Sequence, residues 1–417
     1  VREQRRRASS QHRESSRTRR AWRSALAWVV VLAVLGSIFG VPPLIRYLKA
    51  PNISEDFGIE DAVVALRLEA RDVSYLTLIS ETGETRSVRV DERGFEQARI
   101  AWSEHGLSTG SRDTEYLLRA HDLTALPLPA STANRTESRR VATDDGFVVW
   151  SSSPVEERIV SFIDAEHGTM ENAEAVYGPP GLTVCAGAPV FVRDAEAPMS
   201  GVGTDADAPD DRPLITELTP ATAGMPGLGV FDDVEALACD SGTVFGLGHV
   251  WGAPDSRQVL RAWSEGDDAP REIEIRYPQA LTWTTPSTFW VSEGTAYWAI
   301  DSTLWSAPVA ADSESVDATP VSDIRDSLGD GFWPVVGTDS GVLDHIGDRV
   351  YGVAVDEEFV QRRRGSSFDR LDGLAIFSAD VAGDAPRIEL TVSDFDIPRR
   401  DLRVSAIAVN PEWAAAR

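Results

Sequence analysis

Past residue 55 the chain runs in short apolar segments, each bounded by polar residues and glycine. Long stretches with an apolar position every three or four residues are absent, and so is strand–helix alternation. This pattern predicts short β-strands joined by tight turns. The segment Arg99-Ile100-Ala101-Trp102-Ser103 leads through Glu104-His105-Gly106 to Glu115-Tyr116-Leu117-Leu118. Arg140-Val141-Ala142-Thr143 leads through Asp144-Asp145-Gly146 to Phe147-Val148-Val149-Trp150, and then Arg158-Ile159-Val160-Ser161-Phe162-Ile163-Asp164 follows. The order in each is strand, glycine turn, strand, loop, strand.

The same unit recurs along the chain. Gly106, Gly146, Gly187, Gly242, Gly294 and Gly347 each precede a β-rich run, at spacings of 40, 41, 55, 52 and 53 residues. Third strands recur at Val259–Trp263, Thr303–Trp305 and Leu374–Phe377. A further sheet is written between Val63 and Val90, and a last strand at Leu402–Val409. Repeats of about 40 to 50 residues with several strands each predict an all-β fold, a single β-propeller. At roughly 50 residues per blade the region predicts about seven blades, with six to eight in range. Its two ends are expected to pair in one blade, which removes the open edge. Two β-sandwich domains are the rival, and no linker divides the region to favour them.

The first 50 residues read differently. Between Arg23 and Arg46 no residue is charged, and the run from Ala25 to Ile45 is long enough, at about 31 Å, to span a bilayer core. Eight arginines precede it from Arg5 to Arg23, whereas Arg46 and Lys49 follow closely. The positive-inside rule then places the N-terminus in the cytoplasm and the β-rich region outside. A cleaved export signal is the alternative, since Thr18-Arg19-Arg20-Ala21-Trp22 resembles a twin-arginine signal. The apolar run is long for that, and Leu48-Lys49-Ala50 is a poor cleavage site. Gly36 and Gly40 have the small-residue spacing that lets membrane helices approach closely. The expected organisation is a disordered basic cytoplasmic tail (1–24), a transmembrane helix (25–45), a linker (46–58), the extracytoplasmic propeller (59–410) and a C-terminal tail (411–417).

Charge sharpens this division. The 417 residues carry a net charge of −26, but residues 1–50 hold eleven basic and two acidic residues, so the remainder stands at −35. An outer domain that acidic excludes nucleic-acid recognition, which needs a basic face. Lys49 is the only lysine among the basic residues. That arginine bias resembles chains from GC-rich bacteria. Together with the repeats and the apolar run, the chain resembles membrane-anchored bacterial β-propeller proteins, in architecture and without the GH…WD dipeptides of one named repeat family.

Candidate chemistry is sparse. Cys185 and Cys239 precede Gly187 and Gly242 at nearly the same place in consecutive repeats, so a disulfide between neighbouring blades is expected in an exported chain. Two buried thiols are the alternative. His105, His121, His167, His249 and His345 show no i, i+3 or i, i+4 pairing, so no helical metal site is written locally. His105 and His167 read as turn residues beside glycine. Asp240-Ser241-Gly242 and Asp339-Ser340-Gly341 carry a string found around some serine nucleophiles, but a polar-Gly hairpin explains the first equally well. Thr143-Asp144-Asp145-Gly146 is a near miss to the aspartate box of sialidase-like propellers. Asp205, Asp207 and Asp210 form an acidic loop with oxygen ligands suited to Ca²⁺, the one cofactor in view, although a solvated loop is the plainer reading. Arg362-Arg363-Arg364 stands out as a basic patch on an acidic domain. The resulting expectation is a single-pass cell-membrane protein whose extracytoplasmic propeller is a binding or scaffold module at the bacterial surface, with the bilayer and a protein or small ligand as partners. The alternative is a propeller hydrolase or lyase with paired carboxylates in the axial funnel.

Overall fold

The computed structural model describes residues 50–417 except 71–72, 92–98, 130–134, 153–157, 176–180, 195–212, 224–233, 251–256, 265–269, 279–285, 287, 301, 310–312, 329–331, 336–342, 357–372, 384, 393–396 and 398–401. The segment 25–45 with Gly36 and Gly40, the acidic loop with Asp205, Asp207 and Asp210, and Arg362–Arg364 lie outside the described residues. Among the described residues no helix is long and apolar enough to cross a membrane. Backbone contacts divide the chain into two units, and the one considered below is Asn52–Phe395 with Arg399–Arg417.

The apolar runs form seven sheets. Blade I pairs Arg403–Val409 with Ala62–Ala70, followed by Val73–Ser80 and Thr85–Asp91. Blade II comprises Ile100–Ser103, Gly106–Gly110, Thr114–Leu118 and Leu123–Pro127, and blade III Thr136–Thr143, Gly146–Ser152, Arg158–Asp164 and Thr169–Ala175. Blade IV has three strands: Leu182–Cys185, Ala188–Asp194 and Pro213–Glu217. Blade V runs Val234–Asp240, Thr243–Val250, Arg257–Trp263 and Arg271–Arg276, and blade VI Thr288–Ser292, Thr295–Ile300, Thr303–Pro308 and Thr319–Asp323. Ser315–Asp317, from the connection within blade VI, adds a parallel fifth strand to the outer edge of blade V. In blade VII both Phe332–Pro334 and Leu343–Ile346 pair with Arg349–Asp356, followed by Leu374–Asp380 and Arg387–Val392.

The innermost strands touch in sequence from blade to blade: Arg403–Val409 meets Ile100–Ser103, which meets Thr136–Thr143, and so on to Leu343–Ile346, which returns to Arg403–Val409. The sheets therefore make a closed ring, the arrangement of a seven-bladed β-propeller. As the sequence predicts, blade I is completed by strands from both ends of the β-rich region.

Burial follows the same radial logic. Ala62–Ala70 is buried at every position, because neighbouring blades cover both faces of its sheet. Phe147, Val148, Val149 and Trp150 in blade III are likewise buried, whereas the outer strand Thr169–Ala175 is largely exposed and polar. The core is divided among the gaps between blades. Leu117 and Phe147 join blades II and III, Trp150 and Phe191 join III and IV, and Trp298 packs among the aliphatic side chains between V and VI.

The six anchor glycines occupy the first hairpin of blades II–VII in three registers, with Gly347 of blade VII the first turn residue between Ile346 and Arg349. In blades IV, V and VI the two turn residues are Ala186-Gly187, Ser241-Gly242 and Glu293-Gly294, all with positive φ, the signature of type I′ turns. In blades II and III the glycine instead opens the second strand, opposite Ser103 and Thr143. A Cβ there would lie 2.2 Å from Leu118 O in blade II and 2.0 Å from Ile163 O in blade III.

Two flanking segments are more structured than a linker and a tail. Residues 52–58 strap onto blades I and II: Ile53 N–H donates to Arg89 O, Leu123 N–H donates to Glu55 O, and Phe57 is buried. Pro411–Ala415 is a short helix capped by Asn410, and its Trp413 is buried beside Tyr351.

Candidate functional site

The hairpins joining first to second and third to fourth strands project from one face of the ring. On that face, at blades II to IV, lies an open cleft of about 540 Å³. Its position follows from the first hairpin turns of three consecutive blades. His105, in the turn of blade II, donates from Nε2 to the carbonyl oxygen of Asp144 in the turn of blade III. Asp144 N–H donates in turn to Gly187 O in the turn of blade IV, at 3.2 Å. The side chain of Asp144 lies over Gly187, where any Cβ would meet its carboxylate oxygens. The cleft opens outward from this chain of turns.

Its floor is the top of the hydrophobic gap between blades III and IV, with Val148, Phe162 and Leu218 in its wall. Its rim is anionic: Asp144, Asp145, Asp164, Glu166 and Glu171 line it together with His105 and His167, and among the described residues no lysine or arginine does. The Asp164–Gly168 turn is held from within. Asp164 accepts from His167 N–H at 2.9 Å and from His167 Nδ1 at 2.8 Å. The backbone N–H of His167 and then its ring hold the Asp164 carboxyl below its ordinary value, while the Asp164 hydrogen bond raises the His167 pKa. Arg119 of blade II braces the same turn from behind, donating to Ala165 O at 2.7 Å. Chemically, the cleft offers a rim of carboxyl groups around an apolar floor, with the Asp164 carboxyl held toward its ionised form.

A second polar group lies nearby but is sealed. Between blades II and III, Glu115 pairs with Arg135 at 2.5 Å and with Arg140 at 2.7 Å, and Arg140 also pairs with Glu137 at 2.7 Å. These side chains are inaccessible to water. Burial alone would raise the Glu115 pKa, but Arg135 and Arg140 outweigh it and hold the carboxyl below its ordinary value. The cluster lies at the same interface as the hydrophobic packing of Leu117 and Phe147, and its charged groups are closed off from water.

The structure separates the residues that the sequence singles out. Cys185 and Cys239 face each other, with Cα atoms 5.3 Å apart, in a disulfide between the innermost strands of blades IV and V. Ser241 and Gly242 form a hairpin turn, with φ of 51° and 80°, and Ser241 bonds only the adjacent Asp240 side chain. His249 is buried within blade V, and His345 stacks on Trp290 with centroids 5.0 Å apart. Among the described residues no three His, Cys, Asp or Glu side chains converge as a metal site. His105, Asp144, Asp145 and His167, which read in the sequence as ordinary turn residues, are the ones brought together. The available signal was the register of His105 and Asp144 at equivalent turns of consecutive repeats.

No family model matches the sequence, and no curated protein does. Solved structures match it remotely. Apo AztD from Citrobacter koseri is 11% identical, with 83% of this chain and 98% of that one covered and a TM-score of 0.38. The β-propeller domain of the Trilobed protease from Pyrococcus furiosus is 10% identical, covering 81% and 97%, with a TM-score of 0.44. The periplasmic gluconolactonase PpgL of Pseudomonas aeruginosa is 12% identical, covering 83% and 99%, with a TM-score of 0.40. At such distances likeness carries no argument about function, and the fold rests on the ring of sheets itself.

Proposed function

We propose that this chain is a binding module: an extracytoplasmic β-propeller, held at the bacterial cell membrane by a helix over 25–45, that takes a partner on the hairpin face of blades II–IV. The observation that carries the reading is the open cleft with an apolar floor, a carboxylate rim and, among the described residues, no lysine or arginine in its lining. Such a surface matches a basic protein segment whose aliphatic stems lie on Phe162 and Leu218 while its cationic heads meet the rim. The carboxyl whose pKa is displaced there, Asp164, is shifted toward the ionised form, which suits charge recognition.

The test is titration of the detergent-solubilised full chain with a decalysine peptide, followed by calorimetry. Binding that weakens at least tenfold in Asp145→Asn/Glu171→Gln, and falls with added salt, supports the reading. No binding, or equal binding by the variant, overturns it.

A further inference from the structure

The ring closes at one seam, where blade VII meets the strand Arg403–Val409 of blade I. On the inner side Val409 N–H donates to Asp344 Oδ2 at 2.8 Å, a side chain of the innermost strand of blade VII. On the outer side Trp413 lies against Tyr351, with centroids 6.0 Å apart. Arg417 bridges Glu81 of blade I at 2.8 Å and Glu389 of blade VII at 3.3 Å. The inner link differs from the outer ones because its carboxyl has no cation beside it.

The elements packed on Leu343–Ile346 are Arg349–Asp356, Arg403–Val409, the helix Pro411–Ala415 and Thr288–Ser292. Arg349 pairs with Asp380 at 3.5 Å and Arg403 with Glu69 at 3.8 Å. Glu412 is exposed, Asp356 is the far end of its strand, and Thr288–Ser292 carries no charge. The neighbouring His345 is turned onto Trp290. Asp344 is therefore held by the backbone N–H groups of Val409 and His345 alone.

We propose that Asp344 makes the closing seam of the propeller pH-responsive: the seam is held tightest while this carboxyl is neutral, and it loosens when the carboxyl ionises with no counter-charge paired to it among the described residues. Burial pushes the Asp344 pKa up to about 7, with the Val409 and His345 amides pulling part of the way back. The folded state thus binds a proton that the unfolded chain has released. The contribution is complete below the ordinary aspartate value of about 4 and is lost as pH rises through about 7. His345 acts in the opposite sense. Burial lowers its pKa to about 4, so its contribution is present above about 6.5 and lost toward pH 4. The ring is covered by Trp290 on one face, and the residue keeps contact with water on the rest of its surface, which damps that opposing effect.

Hydrogen exchange of the full chain at pH 5, 6, 7 and 8, corrected for intrinsic rates, tests this. Protection of 403–410, measured against 146–152 in blade III, is expected to fall at least tenfold from pH 5 to pH 8. In Asp344→Asn the ratio is expected not to fall, and to rise modestly between pH 5 and 7 as His345 titrates, and in His345→Asn the fall steepens. A wild-type ratio that does not change, or an Asp344→Asn ratio that falls equally, overturns the proposal. Should Asp344→Asn not fold, the ¹³C titration of the wild-type Asp344 carboxyl decides: a midpoint near 7 supports the seam mechanism, and one below 5 overturns it.

Discussion

Gly242 in the first turn of blade V and Gly110 at the end of the second strand of blade II are held by different constraints. At Gly242 φ is 80° and nothing lies within 4 Å of where a Cβ would be, so only backbone conformation opposes a side chain. At Gly110 the Cβ would lie 2.7 Å from Arg135 Nη2 and 2.9 Å from Glu115 Oε2, inside the sealed ion cluster. Gly242→Ala should therefore cost about 1–2 kcal/mol through left-handed strain. Gly110→Ala should cost about 1–3 kcal/mol through overpacking, and it alone should perturb Arg135 and Arg140. Urea midpoints check the costs, and arginine side-chain NMR shifts check the difference. Glu115→Ala is more severe. It leaves two buried guanidiniums short of a counter-charge, and about 3–5 kcal/mol of stability is expected to be lost in the same urea assay. Gly242 is legible in the sequence because a polar-Gly turn signals its own conformation. Gly110 is not, since its constraint comes from side chains 5, 25 and 30 residues away.

At the scale of strands and hairpins, the repeat spacing locates the first hairpin of six blades, but not its register. Glycine at the second turn position produces a type I′ turn in blades IV–VI, whereas in blades II and III it makes room for the third strand's carbonyl. Both uses require the same residue, so the anchor pattern looks uniform in the sequence. The disulfide belongs to this scale too. Cys185 and Cys239 are 54 residues apart, and cross-linking a loop of that size restricts the unfolded chain by about 4 kcal/mol. Cys185→Ala/Cys239→Ala is expected to lower the urea midpoint accordingly, and a reductant should lower the wild type but leave the double variant unchanged. The fifth strand of blade V was not legible. Ser315–Asp317 is three residues long, and it is a strand only because the edge of Arg271–Arg276 stands beside it.

For the whole molecule, stability depends on closing the ring. Trp413 is buried between the helix Pro411–Ala415 and blade VII, so Trp413→Ala should cost about 3–5 kcal/mol and expose Arg403–Val409 to exchange before the other inner strands. The pH dependence has a defined sign at this scale. Displacement of Asp344 from about 4 to about 7 is worth up to about 4 kcal/mol, favouring the closed ring in acid. Urea unfolding of Asp344→Asn is accordingly expected to gain on the wild type as pH rises from 4 to 7, with the difference levelling off above that.

The all-β class, the repeat, a blade number of six to eight and the pairing of the two ends are written in the chain itself, and the ring of sheets selects seven. Each follows from local alternation of apolar segments with turn residues, and that signal survives without knowing which segments meet. The cleft, the sealed ion cluster and the counter-charge-free carboxyl of the seam were decided only by tertiary structure. Each gathers residues from different blades: His105 with Asp144 and Gly187, Glu115 with Arg140, Asp344 with Val409. No local pattern marks such residues, because what makes them special is the low-dielectric gap between sheets into which the ring folds them.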